Sequence, residues 1–160
     1  MLQKKVCMIG SFAVGKTSLV RRFVHSMFSQ QYLTTVGVKI DKKTVSTPKG
    51  DVNILLWDLH GDDEFQRLQA TYLRGTSACL LVVDGLRAVT LQRAEDLNTW
   101  VQSVVGTVPT IFVLNKADMR ARWEVDDAQI ARLRQNGRIV IETSAKSGEG
   151  VEEAFLRLTN

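Results

Sequence analysis

Eight residues near the N-terminus constrain this chain more than any other feature. Gly10-Ser11-Phe12-Ala13-Val14-Gly15-Lys16-Thr17 matches the pattern GxxxxGK[ST]. It lies between an apolar run, Lys4 to Ile9, and a helical pattern from Lys16 to His25 that puts Leu19, Val20, Phe23 and Val24 on one face. Strand, glycine loop and helix form the context in which the pattern has mechanical meaning. Backbone N–H groups of such a loop point inward and cradle phosphate oxygens, and the partial positive charge of the helix N-terminus adds to the attraction. Lys16 would reach the terminal phosphates as a point charge, and the Thr17 hydroxyl would ligate Mg²⁺. A chance glycine turn before a helix would have to reproduce eight residues in the right place.

The rest of the chain alternates. Residues 26–36 lack periodicity and read as a loop. Val38 to Thr47 and Val52 to Leu59 read as two strands, and the turn chemistry of Pro48-Lys49-Gly50-Asp51 makes them a hairpin. Ala78 to Asp84, Thr110 to Leu114 and Arg138 to Glu142 are short apolar runs without alternation, which suits strands buried on both faces of a parallel sheet. Helical patterns fall between them. One runs from Val89 to Val105 with Leu91, Ala94, Leu97, Val101 and Val104 as its buried stripe. Another runs from the N-cap Asp126 to Gln135 and stops at Asn136-Gly137. A last one starts near Gly148 and carries Val151, Ala154, Phe155 and Leu158. The fold class is α/β, with a mostly parallel sheet covered by helices on both faces.

At 160 residues the chain has the size of one domain, residues 1–160, and its 44% hydrophobic and 24% charged residues exclude whole-chain disorder. No apolar run approaches the roughly 18 residues that span a bilayer. Net charge is +4, with the basic residues dispersed, so neither nucleic acid nor an acidic membrane surface is the expected partner. Cys7 and Cys79 sit far apart in apolar strand-like runs and read as buried reduced thiols.

Three further motifs carry chemistry. Trp57-Asp58-Leu59-His60-Gly61 ends a strand, placing the Asp58 carboxylate to hold a water on Mg²⁺ and the Gly61 N–H to approach a terminal phosphate. Asn115-Lys116-Ala117-Asp118 follows another strand. A carboxylate there can accept from both the ring N–H and the exocyclic amine of guanine, a donor pair that adenine lacks. Ser144-Ala145-Lys146, after the last strand, offers a backbone N–H to the guanine O6.

In this order and at these spacings, the four motifs resemble the Ras superfamily of small GTPases over nearly the whole chain. The resemblance implies the P-loop NTPase fold: a six-stranded sheet with one antiparallel edge strand and five helices. It implies GTP or GDP as ligand, Mg²⁺ as cofactor, and a nucleotide site made of Gly10 through Thr17, Ser18, Phe28, Thr35, Asp58, Gly61, Asn115, Lys116, Asp118, Ser144, Ala145 and Lys146. Thr17, Thr35 and Asp58 would serve the metal, and Lys16, Thr35, Gly61 and Asp62 the reaction. Phe28 looks like the aromatic packed on the guanine ring, Thr35 like the switch I threonine, and residues 62–74 like switch II. Thr34 through Val38, Trp57-Asp58 and Tyr72 through Gly75 look most like the Rab branch, with prokaryotic Ras-like and Roc-type domains also similar. Ile40, Trp57 and Tyr72 match the triad through which Rabs read effector, exchange-factor and activating proteins, although core packing explains Trp57 equally well.

Three departures bear on mechanism. Asp62 stands where the family places a water-orienting Gln, Phe12 fills a position that is small in most relatives, and His60 replaces a small residue before Gly61. GTP hydrolysis is therefore expected to be slow, and the alternative is a GTP-binding interaction module with negligible hydrolysis. An ATP-dependent P-loop enzyme fits poorly with Asn115-Lys116-Ala117-Asp118. The chain has no prenylation cysteine, and Leu2 stands where myristoylation needs glycine, so no membrane anchor is expected in it. The expected location is cytoplasmic, or peripheral to a membrane where a C-terminal tail has been removed.

Overall fold

The computed structural model describes residues 2–11, 14–24, 31–33, 39–59 and 70–159. Among the described residues seven strands form one sheet in the order β2-β3-β4-β1-β5-β6-β7. Its centre is β1 (Leu2–Gly10), which pairs in parallel with β4 (Gly50–Asp58) on one side and β5 (Ala78–Asp84) on the other. Parallel pairing continues from β5 through β6 (Thr110–Asn115) to β7 (Ile139–Thr143). On the other flank β3 (Lys39–Thr47) runs antiparallel to β4, closed by a hairpin at Pro48-Lys49. The fold class and the antiparallel flank are as read from the sequence. The sheet gains one strand on that edge: β2 (Gln31–Leu33) pairs antiparallel with β3 inside the stretch read as a loop. Three residues are too few to show a period of two.

Among the described residues the helices with assigned bounds are α1 (Lys16–Val24), α2 (Val89–Val105), α3 (Asp127–Gln135) and α4 (Val151–Leu156), with 3-10 segments at Ala117–Arg122 and Arg157–Thr159, and residues 70–72 are also helical. Successive side chains of a strand face opposite ways, so β1 and β5 divide their residues between two cores. Val6, Met8, Leu80 and Val82 join α1 and α4 on one face, where Phe23 stacks on Phe155 with ring centroids 4.1 Å apart. Cys7, Ile9, Cys79, Leu81 and Val83 join α2 and α3 on the other. The central strands are thus buried on both faces, and that is why they read as continuous apolar runs. Cys7 and Cys79 face each other across β1 and β5 as buried free thiols, and burial raises the pKa of both.

Several details differ from the sequence pattern: β1 runs Leu2–Gly10 rather than Lys4 to Ile9, β4 Gly50–Asp58 rather than Val52 to Leu59, β6 extends to Asn115, and the last helix starts at Val151 rather than near Gly148. Val104 was expected in the buried stripe of α2 but is 39% exposed. Val105, four residues after Val101, packs against the core instead. β7 begins and ends one residue later than the apolar run suggested. Asp126 does cap α3: its carboxylate accepts from the Gln129 amide at 2.8 Å while the Gln129 side chain accepts from the Asp126 amide at 3.0 Å.

The sheet positions the site through its polar ends. The parallel strands terminate, at their carboxyl ends, in Gly10, Asp58, Asp84, Asn115 and Thr143, and Ser144 follows at once. All but Gly10 are polar residues buried in a fold whose other interior positions are overwhelmingly apolar. Open α/β sheets bind ligands along such an edge.

Candidate functional site

The glycine loop turns off β1 where no side chain fits. A Cβ on Gly10 would stand 2.6 Å from the Val82 carbonyl oxygen. Gly15 adopts φ +98°, and a Cβ there would meet the Asn115 amide nitrogen at 2.3 Å. Helix α1 starts directly beyond it, with the Leu19 amide donating to the Gly15 carbonyl at 2.9 Å. The Lys16 ammonium, its side chain 10% exposed, donates to the Leu59 carbonyl at 2.8 Å and to the Gly10 carbonyl at 3.4 Å, and it lies 3.6 Å from Asp58 Oδ1. Burial lowers the Lys16 pKa, against the opposing charge and hydrogen bonding of Asp58. Thr17 Oγ1 donates to Asp58 Oδ2 at 3.0 Å. Asp58 Oδ1 is buried without a hydrogen-bond partner.

That donor set fits a hard divalent cation. A hydroxyl and a carboxylate oxygen converge, and Asp58 Oδ1, with no hydrogen bond and only the Lys16 ammonium 3.6 Å away, is the kind of atom a hydrated metal satisfies. Among the described residues no group of three His, Cys, Asp or Glu forms a metal site, so Thr17 and Asp58 would need phosphate oxygens or Thr35 to complete the sphere.

The second half of the site is held by Asn115. This side chain, 2% exposed, donates from Nδ2 to the Val14 carbonyl at 3.0 Å. Its Oδ1 accepts from Thr143 Oγ1 and from the Ala145 amide, each at 3.3 Å. The glycine loop, β6 and the segment after β7 therefore meet on one amide. Lys116 adopts φ +75°, and its ammonium pairs with Asp84 at 2.8 Å. Burial alone would raise the Asp84 carboxyl, but hydrogen bonds from Lys116, Arg87 and the Leu86 amide outweigh it and hold it below the usual carboxylate range. Asp118 is exposed, and its Oδ1 accepts from Ser144 Oγ at 2.7 Å. Ser144 Oγ in turn accepts from the Ser147 amide at 3.0 Å.

The structure thus brings together Gly10, Val14, Gly15, Lys16, Thr17 and Asp58 at one end and Asn115, Lys116, Asp118, Ser144 and Ala145 at the other. Ser11 follows Gly10, Ser18 is exposed on the first turn of α1, and Lys146 is exposed beside Ala145. Phe12, Ala13, Phe28, Thr35, His60, Gly61 and Asp62 lie outside the described residues. Sequence reasoning missed Asp84 as the partner of Lys116, although a carboxylate closing a seven-residue buried run was a visible signal.

Ile40, Trp57 and Tyr72 form one cluster. Ile40 stands opposite Trp57 across β3 and β4, and the Trp57 and Tyr72 rings lie 5.7 Å apart. Lys5 Nζ sits 3.8 Å from the Trp57 ring centroid and donates to the Arg74 carbonyl at 2.7 Å. All three residues are half-buried against the second core, so they serve packing while keeping part of their surface in solvent.

Comparison with known proteins gives a consistent picture. The family model described as the Ras family matches residues 5–160. The chain is 34% identical over 160 residues to Ras-related protein Rab-4 of Dictyostelium discoideum, covering 97% of this chain and 77% of that protein. It is 32% identical over 160 residues to Ras-related protein Rab-13 of Canis lupus familiaris, covering 96% and 77%. It is 34% identical over 166 residues to Ras-related protein RABG3a of Arabidopsis thaliana, covering 96% and 79%.

Proposed function

This chain belongs to the Ras family of small GTPases, on its Rab branch, and from that premise we propose that it is a guanine-nucleotide switch that holds GTP or GDP with Mg²⁺ and hydrolyses GTP slowly. The observation that carries the reading is the exposed Asp118 carboxylate, anchored by Ser144 at 2.7 Å and joined through Asn115 to the loop that presents Lys16 and Thr17. A carboxylate so placed reads two adjacent N–H donors, and guanine offers them. Nucleotide extracted from the purified protein should be GDP or GTP, and ATP should fail to displace it. Bound adenine nucleotide, or equal competition by ATP and GTP, would sink this reading.

Thr17 and Asp58 would hold the metal, Asp58 by way of water, with Thr35 joining only in the triphosphate state. When bound, Mg²⁺ supplies charge neutralisation at the phosphates. Lys16 neutralises the same charge from the protein side. The segments around Thr35 and Asp62 are the parts whose order should follow the terminal phosphate. Ile40, Trp57 and Tyr72 offer effector, exchange-factor and activating proteins a surface that changes with them. No helix among the described residues is long and apolar enough to cross a membrane.

Slow hydrolysis follows from Asp62. An ionised carboxylate only accepts hydrogen bonds, whereas Gln can accept from the attacking water and donate to the transition state. Its charge would also oppose a phosphate already rich in negative charge. Phosphoryl transfer through a loose transition state gains little from early proton removal, so a general-base role would not compensate. Phe12 would crowd the entry of a partner's arginine. Single-turnover hydrolysis should run at or below roughly 10⁻⁴ per second, and Asp62→Gln should raise it about tenfold, with Phe12→Gly restoring the response to an activating protein. A fast wild type slowed by Asp62→Gln would make Asp62 a working catalytic residue. No measurable turnover in any variant would favour signalling by occupancy alone.

A further inference from the structure

Lys116 is the one non-glycine residue with positive φ among the described residues, at +75°. Lysine rarely adopts this left-handed conformation, so something must hold it there. Its side chain is tied to Asp84, but the turn itself is set by its carbonyl. That oxygen accepts from the Met119 amide at 2.9 Å and from the indole N–H of Trp123 at 2.8 Å.

Trp123 is built in on several sides. Its ring lies against the backbone of Gly85 so closely that a Cβ on Gly85 would stand 2.1 Å from Trp123 Cε2. Gly85 in turn donates its amide to the Asn115 carbonyl at 3.1 Å, and its carbonyl accepts from the Glu124 and Val125 amides at 3.0 and 3.1 Å. The Arg120 guanidinium carbon is 4.6 Å from the Trp123 ring centroid, and Arg120 is fixed by Glu142 and Asp127, each at 2.7 Å. A ring needed only for packing would leave its N–H to solvent or to any nearby acceptor. Here the N–H ends on the carbonyl of the one strained residue, between Asn115 and Asp118.

We infer that Trp123, seated on Gly85, is a positioning residue for the base-reading loop: its indole N–H holds Lys116 in the left-handed turn that keeps Asn115 and Asp118 aligned on the same ligand. This rests on the guanine reading above. Trp123 touches no ligand in this account. It acts through the Lys116 carbonyl, and Gly85 is required because any side chain there would displace the ring.

The test is a double-mutant cycle on release of a fluorescent GDP analogue, using Trp123→Phe, Lys116→Gly and their combination. Phe keeps an aromatic ring, smaller than the indole, and loses the N–H; the loss of packing is common to both backgrounds and cancels in the cycle. Glycine adopts positive φ without strain, so the turn no longer needs a lock. Losing one neutral hydrogen bond should make Trp123→Phe release the nucleotide about fivefold faster in the wild-type background. In the Lys116→Gly background the same change should have less than about a twofold effect. Amide hydrogen exchange provides the second arm: the Met119 amide should exchange about fivefold faster in Trp123→Phe. Gly85→Ala keeps the indole but moves it, and should reproduce both effects. Equal acceleration in the two backgrounds, or unchanged Met119 exchange, would overturn the lock. Failure of the wild type to hold any guanine nucleotide would instead overturn the guanine reading, and the exchange arm would still decide whether the indole holds the turn.

Discussion

Replacing Asp118 with Asn should lower affinity for GDP by about a thousandfold and turn the preference toward xanthosine diphosphate, because a site built to hydrogen-bond one donor pattern rejects a mismatched one by orders of magnitude. The structure says which way the new amide will face. Ser144 Oγ donates to Asp118 Oδ1 at 2.7 Å and itself accepts from the Ser147 amide, so it needs an acceptor at that position. Asn would keep its oxygen there and aim its NH₂ at the base. Guanine presents two donors to that group and is rejected; xanthine presents an acceptor in place of the exocyclic amine and is accommodated. Competition of GDP and xanthosine diphosphate against a fluorescent nucleotide measures the exchange of preference. Thermal unfolding of the nucleotide-loaded proteins checks that the fold survives. Retention of GDP affinity within about threefold would remove Asp118 from base recognition, since a lost charge-assisted pair costs more than that.

Asn115→Ala should be the most damaging single truncation in the site. Three hydrogen bonds converge on this buried side chain, from Thr143 Oγ1 and the Ala145 amide and to the Val14 carbonyl. Alanine removes all three and leaves their partners in the interior without replacements. At about 1 kcal/mol per bond, the loss is about 3 kcal/mol of stability. The same loss felt at the ligand corresponds to roughly a hundredfold faster nucleotide release. Urea denaturation and release kinetics should move together. A variant of ordinary stability whose nucleotide leaves at the wild-type rate would show that the glycine loop and the base loop hold their shapes independently.

How much of this was legible beforehand follows from distance along the chain. β5 and α2 end on the residues the pattern indicated, because a strand buried on both faces and a long amphipathic helix each carry their signal in consecutive residues. The glycine loop between β1 and α1 and the Asn115–Asp118 motif were legible for the same reason. β2 was not, since Gln31–Leu33 takes its conformation from pairing with β3 rather than from any period of its own. The choice of Val105 over Val104 depends on where α2 leaves the sheet, which the helical period alone does not specify. Least legible were the partnerships across space: Asp84 with Lys116, Gly85 beneath Trp123, Asn115 with Val14. No local pattern says which glycine lies under which ring.

The Asn115 side chain has one more consequence, which concerns length. It ties the loop around Val14 to the end of β6, three residues before Asp118, and it does so inside the protein. On the proposed reading, the spacing between the group that would meet phosphate and the group that would meet the base is set by one planar amide and the strands behind it. A protein built this way would work as a ruler as well as a reader: a molecule with the right base but a shorter or longer arm to its phosphates would satisfy one end and miss the other.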